Sequence, residues 1–426
     1  MRHRVALIPF LASMVLATSA GATTLQDETP LSDQPTWTGS LWKAQPLSAT
    51  RPLSHPYMSG DSTSNLHGDA WMSDAYWRSG PLGKNMIQTS DNFGAGDLPG
   101  LCASITFTRE GNLLSVCPSA LGAPQIRLIE PQSLSVLASL VLPAREGAPP
   151  TNIFQDFTGG GYFYLDNQDR VVVSTNDRYL RIYVRNGATF QSVADYDLRG
   201  VLQSGERLSS ALPDWQGNIW FVSKTRGVVG FVAKKDGSVH HLVLGEEIEN
   251  SFMVDTSGVY IVSDKALYRY RVSAAGEISR VWRSAPYSNT GKRKPGQVDA
   301  GSGTTPTMLP GGLVALADNA DPMNVVVYSA GTGKETCRIP VFTKGGSATE
   351  NSLIGVGRSD WAMLLVENNY GYDNPYSVGG GNTSRPGFAR IDVTNHGKTC
   401  RKVWENRVDS APSVVPKLSV SNGLVL

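Results

Sequence analysis

"ALADNADPMNVVVYSAGTGKETC", residues 315–337, is the stretch that decides how this chain folds. An apolar run ends at Asp318-Asn319-Ala320-Asp321-Pro322. A second run, Val325-Val326-Val327-Tyr328, then stops at Gly331-Thr332-Gly333-Lys334. Short β-branched runs bounded by Asp, Asn, Gly and Pro read as strands joined by tight turns.

The same order of signals recurs along the chain. A turn followed by an apolar run reads "TREGNLLSV" from 108, "DNQDRVVVS" from 166, "DWQGNIWFV" from 214 and "DTSGVYIVS" from 255. It continues as "LPGGLVALA" from 309 and "GRSDWAMLLV" from 357, and "SVSNGLVL" ends the chain. Each unit then adds a second strand, such as "YLRIYV" (179–184), and a glycine turn, such as "KDGSV" (235–239). A closing strand follows, as in "SRVW" (279–282) and "RKVW" (401–404). A period of roughly 40–50 residues with several short strands per unit is the mark of propeller blades. Tyr179 to Val184 alternates with period two, and no stretch after residue 30 carries capped helical periodicity. The expected class is all-β: a β-propeller of about seven blades, six nearly complete and one begun at the C-terminus.

Three segments are expected. Residues 1–22 read as a signal peptide: Arg2 and Arg4, an apolar stretch from Val5 to Ala17, and Ala20-Gly21-Ala22 as a cleavage site. Residues 23–100 read as an irregular extension packed on the propeller through Trp37, Trp42, Trp71, Tyr76 and Trp77. Residues 101–426 form the propeller. Either the extension supplies the strands missing from the last blade, or the ring stays open with exposed strand edges. The reading is an exported protein, periplasmic or extracellular, with no membrane span, and a monomer. Lys+Arg 38 against Asp+Glu 37 leaves a net charge of +1, which offers nothing to attract nucleic acid. The Lys292-Arg293-Lys294 run reads as a solvated loop.

Four cysteines suit an oxidising compartment. Cys102 and Cys117 flank one hairpin, where a cross-strand bridge is plausible. Cys337 and Cys400 stand in the similar contexts "GKETCR" and "GKTCR". Four cysteines allow three pairings, and neighbouring repeats can hold equivalent positions too far apart to bridge. The pairing stays open at this level.

"GTTPTMLPGGLVALAD", "VVVYSAGTGKETC" and "SAPSVVPKLSVSNGLV" resemble quinoprotein-like propeller repeats over about residues 101–426. That resemblance implies the fold. It does not settle an activity, because the fold hosts dehydrogenases, assembly factors and others. Quinone-dependent alcohol dehydrogenases of the group carry a vicinal cysteine pair beside the cofactor. This chain has none, so no cofactor-binding residue is assigned.

Corners rich in Asp, Asn and Glu recur after the apolar runs: "STND" (174–177), "VSDK" (262–265), Asp318 to Pro322 and "VENNYGYDN" (366–374). Around a propeller axis, Asp177, Asp264, Asp318, Asp321, Glu367, Asn368 and Asn369 would face one mouth, with Asp318, Asn319, Asp321, Glu367 and Asn368 as the candidate metal ligands. Such hard oxygen donors suit Ca²⁺, and the pattern is similar to calcium-bearing propeller lactonases. Against this, Asp and Asn favour turns for backbone reasons alone. The stretch "HPYMSGDSTSNLHGDAWMSDAYW" (55–77) adds His67, a weak candidate base, with Asp61, Asp69 and Asp74. His240 and His241 are neighbours on one strand and face opposite ways. No G-x-S-x-G elbow, H-E-x-x-H helix, P-loop or dinucleotide fingerprint occurs. Glycine-rich 377–384 reads as a loop, with Asn382-Thr383-Ser384 in acceptor form for glycosylation. The leading expectation is a non-catalytic binding or scaffolding protein acting through one channel mouth, its ligand a protein or small molecule. The alternatives are a Ca-dependent lactonase or esterase and, third, a quinone-dependent oxidoreductase.

Overall fold

The computed structural model describes residues 43–60, 63–82, 102, 104–117, 123–145, 158–372, 384–410 and 415–426. The signal segment, Trp37, Trp42, Asp61 and the Asn382 acceptor lie outside these residues. The described strands form seven sheets arranged as a β-propeller, with no helix. Blades 1 to 6 each hold four strands paired in chain order: β2–β5 (104–141), β6–β9 (164–197), β10–β13 (208–243), β14–β17 (253–283), β18–β21 (307–340) and β22–β25 (354–406).

The burial of successive strands shows why these residues take these places. First and second strands of blades 2 to 6 are mostly buried on both sides, as in Leu208–Pro213, Val171–Thr175 and Leu313–Ala317. A strand sandwiched between neighbouring blades needs apolar or small residues at every position, so these segments carry such residues without period-two alternation. Fourth strands lie at the rim, and Thr189–Asp197 alternates between exposed and covered positions. The period-two signal therefore survives only towards the outside. The apolar clusters lie mostly between consecutive blades. One joins blades 1 and 2 and another joins blades 5 and 6, while the largest spans blades 2 to 5 and takes in Met58, Ala70 and Met72.

The seventh sheet draws on both ends of the described chain. Ala75–Tyr76 (β1) pairs in parallel with Leu418–Ser419 (β26), which pairs antiparallel with Leu424–Val425 (β27). Of the two outcomes expected for the last blade, the extension supplying a strand is the one observed.

Both cysteine pairs are bridged. Cys102–Cys117 closes a hairpin in blade 1, and Cys337–Cys400 joins the fourth strands of blades 5 and 6. With sequence separations of 15 and 63 residues, loop entropy alone gives each bridge roughly 3–4 kcal/mol. A second inter-blade tie is Trp282, on the last strand of blade 4. Its indole Nε1 donates to the Ala330 carbonyl at 2.9 Å, above the glycine turn of blade 5. Gly333 in that turn has φ +70°, and a Cβ there would lie 2.5 Å from the indole ring. Position 333 therefore requires glycine for both conformation and space.

Candidate functional site

Alternating turns put the connections on two faces. The turns between second and third strands, together with the blade-to-blade loops, leave from one face. The remaining turns leave from the other.

Residues 55–60 and 63–77 run inside the ring. The Ser59 N–H donates to the Leu165 carbonyl, and the Leu165 N–H to that of Ser64. Val254, Met308, Gly355 and Leu418 then donate in turn to the carbonyls of Ala70, Trp71, Ser73 and Asp74. The segment thus pairs with the innermost strands of blades 2, 4, 5, 6 and 7. His55, Met58, Ser64, Asn65, His67, Asp69, Met72, Ser73, Asp74 and Ala75 are all buried. Its start seats on the turns of blade 3 that face away from the blade-to-blade loops. There the His55 ring lies 4.1 Å from that of Trp215, and Lys234 Nζ stands 4.4 Å from the Tyr57 ring centre. The extension expected to pack on the propeller is, over these residues, an axial filling.

Its turns are held by its own polar groups. Asp69 accepts from the N–H groups of Trp71 and Ser73 and from the Ser73 hydroxyl. Asp74, with no exposed side-chain surface, accepts from Lys417 Nζ and from His67 Nδ1 at 2.9 Å. A carboxylate only accepts, so Nδ1 carries a proton. His67 Nε2 is buried and has no hydrogen-bond partner among the described residues. His67 lines a cavity of about 10 Å³, room for one water-sized group, with Asn65, Leu66, Met72, Tyr162, Phe163, Ser210 and Ser251 among its walls. The hydroxyls of Ser210 and Ser251 bond each other at 2.8 Å, and the Tyr162 ring stacks on His67 at 6.3 Å.

Glu249, Asp299 and Glu350, each on a different blade-to-blade loop, lie within electrostatic reach of Tyr162. Burial pushes the Tyr162 phenol well up, and these three carboxyls with Asp74 push it further. Lys224 pairs with Glu249. Asp299 is pushed up to about 6, chiefly by burial, with Glu247 and Asp264 adding to it. Glu350 is driven well above the usual carboxylate range by burial first and then by Asp299, and its Oε1 is buried without a hydrogen-bond partner among the described residues.

The acidic corners named from sequence all fall at turns between second and third strands. Asp318 accepts from the N–H groups of Ala320 and Asn324 and from the Asn324 amide, with Arg338 3.5 Å away. Asn319 donates to Asn289 Oδ1 and to the carbonyls of Lys292 and Ala300. Asp321 accepts from the Gly345 N–H. Asn368 spans the loops through Ala348, Tyr370 and Gly346. Glu367 accepts from the Asn369 amide, and burial lifts it to about 8. Asp177 pairs with Arg181, and Asp264 accepts from the Glu247 N–H. Most of these groups are occupied in tying loops together. No three His, Cys, Asp or Glu among the described residues are grouped as metal ligands would be. Lys294 departs from the solvated reading of its run: its ammonium is half-buried and donates to the carbonyls of Ala320 and Ser347. His240 stacks on Phe231 at 4.8 Å, away from the mouth.

Sequence reading passed over Glu249, Asp299, Glu350, Tyr162 and Lys417. One signal was present: Glu-Asn-Ser occurs at 249–251 and again at 350–352, each time just before an innermost strand.

The fold is thus a seven-bladed β-propeller with a filled axis. No protein-family model matches the chain. An uncharacterized protein of Archaeoglobus fulgidus is 26% identical over 307 residues, 62% of this chain and 58% of that protein. The match therefore spans less than two thirds of that relative's length. BamB from Moraxella catarrhalis aligns with 91% of this chain and 96% of its own, at 10% identity and TM-score 0.42. Apo AztD from Citrobacter koseri aligns with 58% and 60%, at 16% identity and TM-score 0.35. These likenesses concern the fold alone. No helix among the described residues is long and apolar enough to cross a membrane.

Proposed function

We propose that this protein is an exported binding or scaffolding propeller that takes its ligand at the mouth carrying the blade-to-blade loops. The observation that carries the reading is the asymmetry of the axis. Residues 55–60 and 63–77 fill it and seat on the opposite face, while the blade-to-blade loops carry Glu249, Asp299 and Glu350 within electrostatic reach of Tyr162. Two disulfides support residence in an oxidising compartment. The stretch "VVVYSAGTGKETC", which forms the third strand, turn and fourth-strand start of blade 5, supports a place among quinoprotein-like repeats.

The test is a ligand screen by thermal shift. Compounds that raise the melting temperature of the wild type lose their effect in Ala300→Trp, which crowds the mouth. They keep it in Lys234→Gln, on the other face. Ligands that respond to Lys234→Gln alone would overturn the assignment of the mouth.

A further inference from the structure

We propose that residues 288–301 form a pH-sensitive lid across the loop-face corners of blades 4, 5 and 6, shut while Asp299 carries a proton and freed when it ionises. This goes beyond the binding role argued above, because it concerns how the mouth is covered and not what enters it.

Shape is the first argument. The connection from Ile278–Arg283 to Thr307–Leu309 is longer than the blade-to-blade loops 198–207, 244–252 and 341–353. Its ends meet. The Ser302 N–H donates to the Tyr287 hydroxyl at 3.0 Å, and that hydroxyl donates to the Ser263 carbonyl. The Ser302 hydroxyl is fixed in turn by the Ala317 carbonyl. Residues 288–301 thus form a loop pinned at its base, a unit that opens without unfolding a blade.

The ties that hold it shut are the second. Asn319 gives its amide Nδ2 to Asn289 Oδ1 and to the carbonyls of Lys292 and Ala300, near both ends of the lid. The Lys294 ammonium donates to the carbonyls of Ala320 and Ser347, and the Gly371 N–H donates to that of Pro295. Gly296, at φ +94°, lies so near blade 6 that a Cβ would stand 2.3 Å from the Asn369 carbonyl. Apart from Pro295, Val298 and Ala300, the lid carries no apolar side chain. A segment held by polar ties with little apolar burial opens at far less cost than the blades beneath it.

Asp299 is the third. It lies on the lid, is 7% exposed, and accepts the Gly301 N–H without an ion pair among the described residues. Glu247, Asp264 and Glu350 lie within its electrostatic reach, with the phenols of Tyr162 and Tyr287. The one cation in reach, Lys224, is paired with Glu249. Burial, chiefly, holds the Asp299 proton up to about 6 against an ordinary 3.8. Opening the lid returns the carboxyl to water and releases that proton. The closed state is therefore favoured in full below pH 3.8, and its advantage is lost as pH rises to 6.

The test is hydrogen exchange of the full chain, read by mass spectrometry on peptides covering 288–301 between pH 4 and 7 and corrected for the intrinsic pH dependence of exchange. The open fraction should rise about a hundredfold from pH 4 to pH 6, as a carboxyl displaced from 3.8 to about 6 requires, while loop 198–207 stays level. Asp299→Asn should remove the rise. Lys294→Met should raise the open fraction at every pH and keep the slope, and exposed Glu277→Gln should change nothing. A level profile in the wild type, a slope that survives Asp299→Asn, indifference to Lys294→Met, or a rise shared by loop 198–207 would each overturn the lid. The wild-type profile needs no variant, so it decides the matter even if Asp299→Asn fails to fold. No arm uses a ligand, so the lid and the assignment of the mouth stand or fall separately.

Discussion

Asp74 and Lys417 stand 343 positions apart and form an ion pair at the start of the last blade. The pair ties the axial segment to the strand that Ala75 and Tyr76 complete. Asp74 has no exposed side-chain surface, and it also accepts from His67. Removing the lysine leaves a buried carboxylate short of its cation.

Lys417→Met should therefore destabilise by roughly 3–5 kcal/mol, as expected when one partner of a buried pair is lost. Asp74→Asn should cost less, because it removes the stranded charge as well. Urea unfolding of the two variants beside wild type reads the difference. Equal, small losses would place the seventh sheet's stability elsewhere.

His55 is held neutral. Burial pushes it down to about 3, and its Nδ1 accepts the Tyr57 N–H. The unfolded chain takes up a proton near pH 6.5, and the folded chain does not until about pH 3. Its contribution to stability is thus present above pH 6.5 and drains away as pH falls towards 3, by at most about 1.4 kcal/mol per pH unit. His55→Gln should flatten the unfolding free energy between pH 6.5 and 4.5 relative to wild type.

Glu367 works in the opposite sense. Its folded value near 8 lies above the ordinary 4.5, raised by burial and then by Asp74 against the Asn369 hydrogen bond. Between those values the folded state binds more protons than the unfolded state. Stability is lost as pH rises from 4.5 to 8. Glu367→Gln should be more stable than wild type at pH 8 and equal to it near pH 4.5, as followed by melting temperature across that range.

Gly333→Ala should destabilise by about 1–3 kcal/mol, combining a left-handed backbone with a clash against Trp282. The double variant with Trp282→Phe should recover part of the loss. A double-mutant cycle with no coupling would show that the indole does not police this turn.

Asp318 accepts from three donors in its own corner, so Asp318→Ala should cost about 1–3 kcal/mol by leaving them unpaired. The loss should be the same in EDTA and in added Ca²⁺. A calcium-dependent difference in melting would return the corner to the lactonase reading.

Repeating turn-and-strand signals, two cysteine contexts and the unfinished last blade were legible in the order of residues, because each is a local matter of backbone preference and apolar patterning. Asp318 could be seen as a turn residue for the same reason. What the order of residues could not reveal is which side chains of different blades meet. His67 next to Tyr162, Glu350 near Asp299, and Lys417 on Asp74 are contacts made around an axis. Their partners come from separate blades or from opposite ends of the chain, so no local spacing encodes them. The filled axis has the same origin. Segment 55–77 is polar and lacks strand periodicity, and the backbone groups it does not pair within its own turns find partners on the innermost strands of five blades. Composition and pattern determined the blades; their arrangement around one axis decided which carboxyls share one mouth.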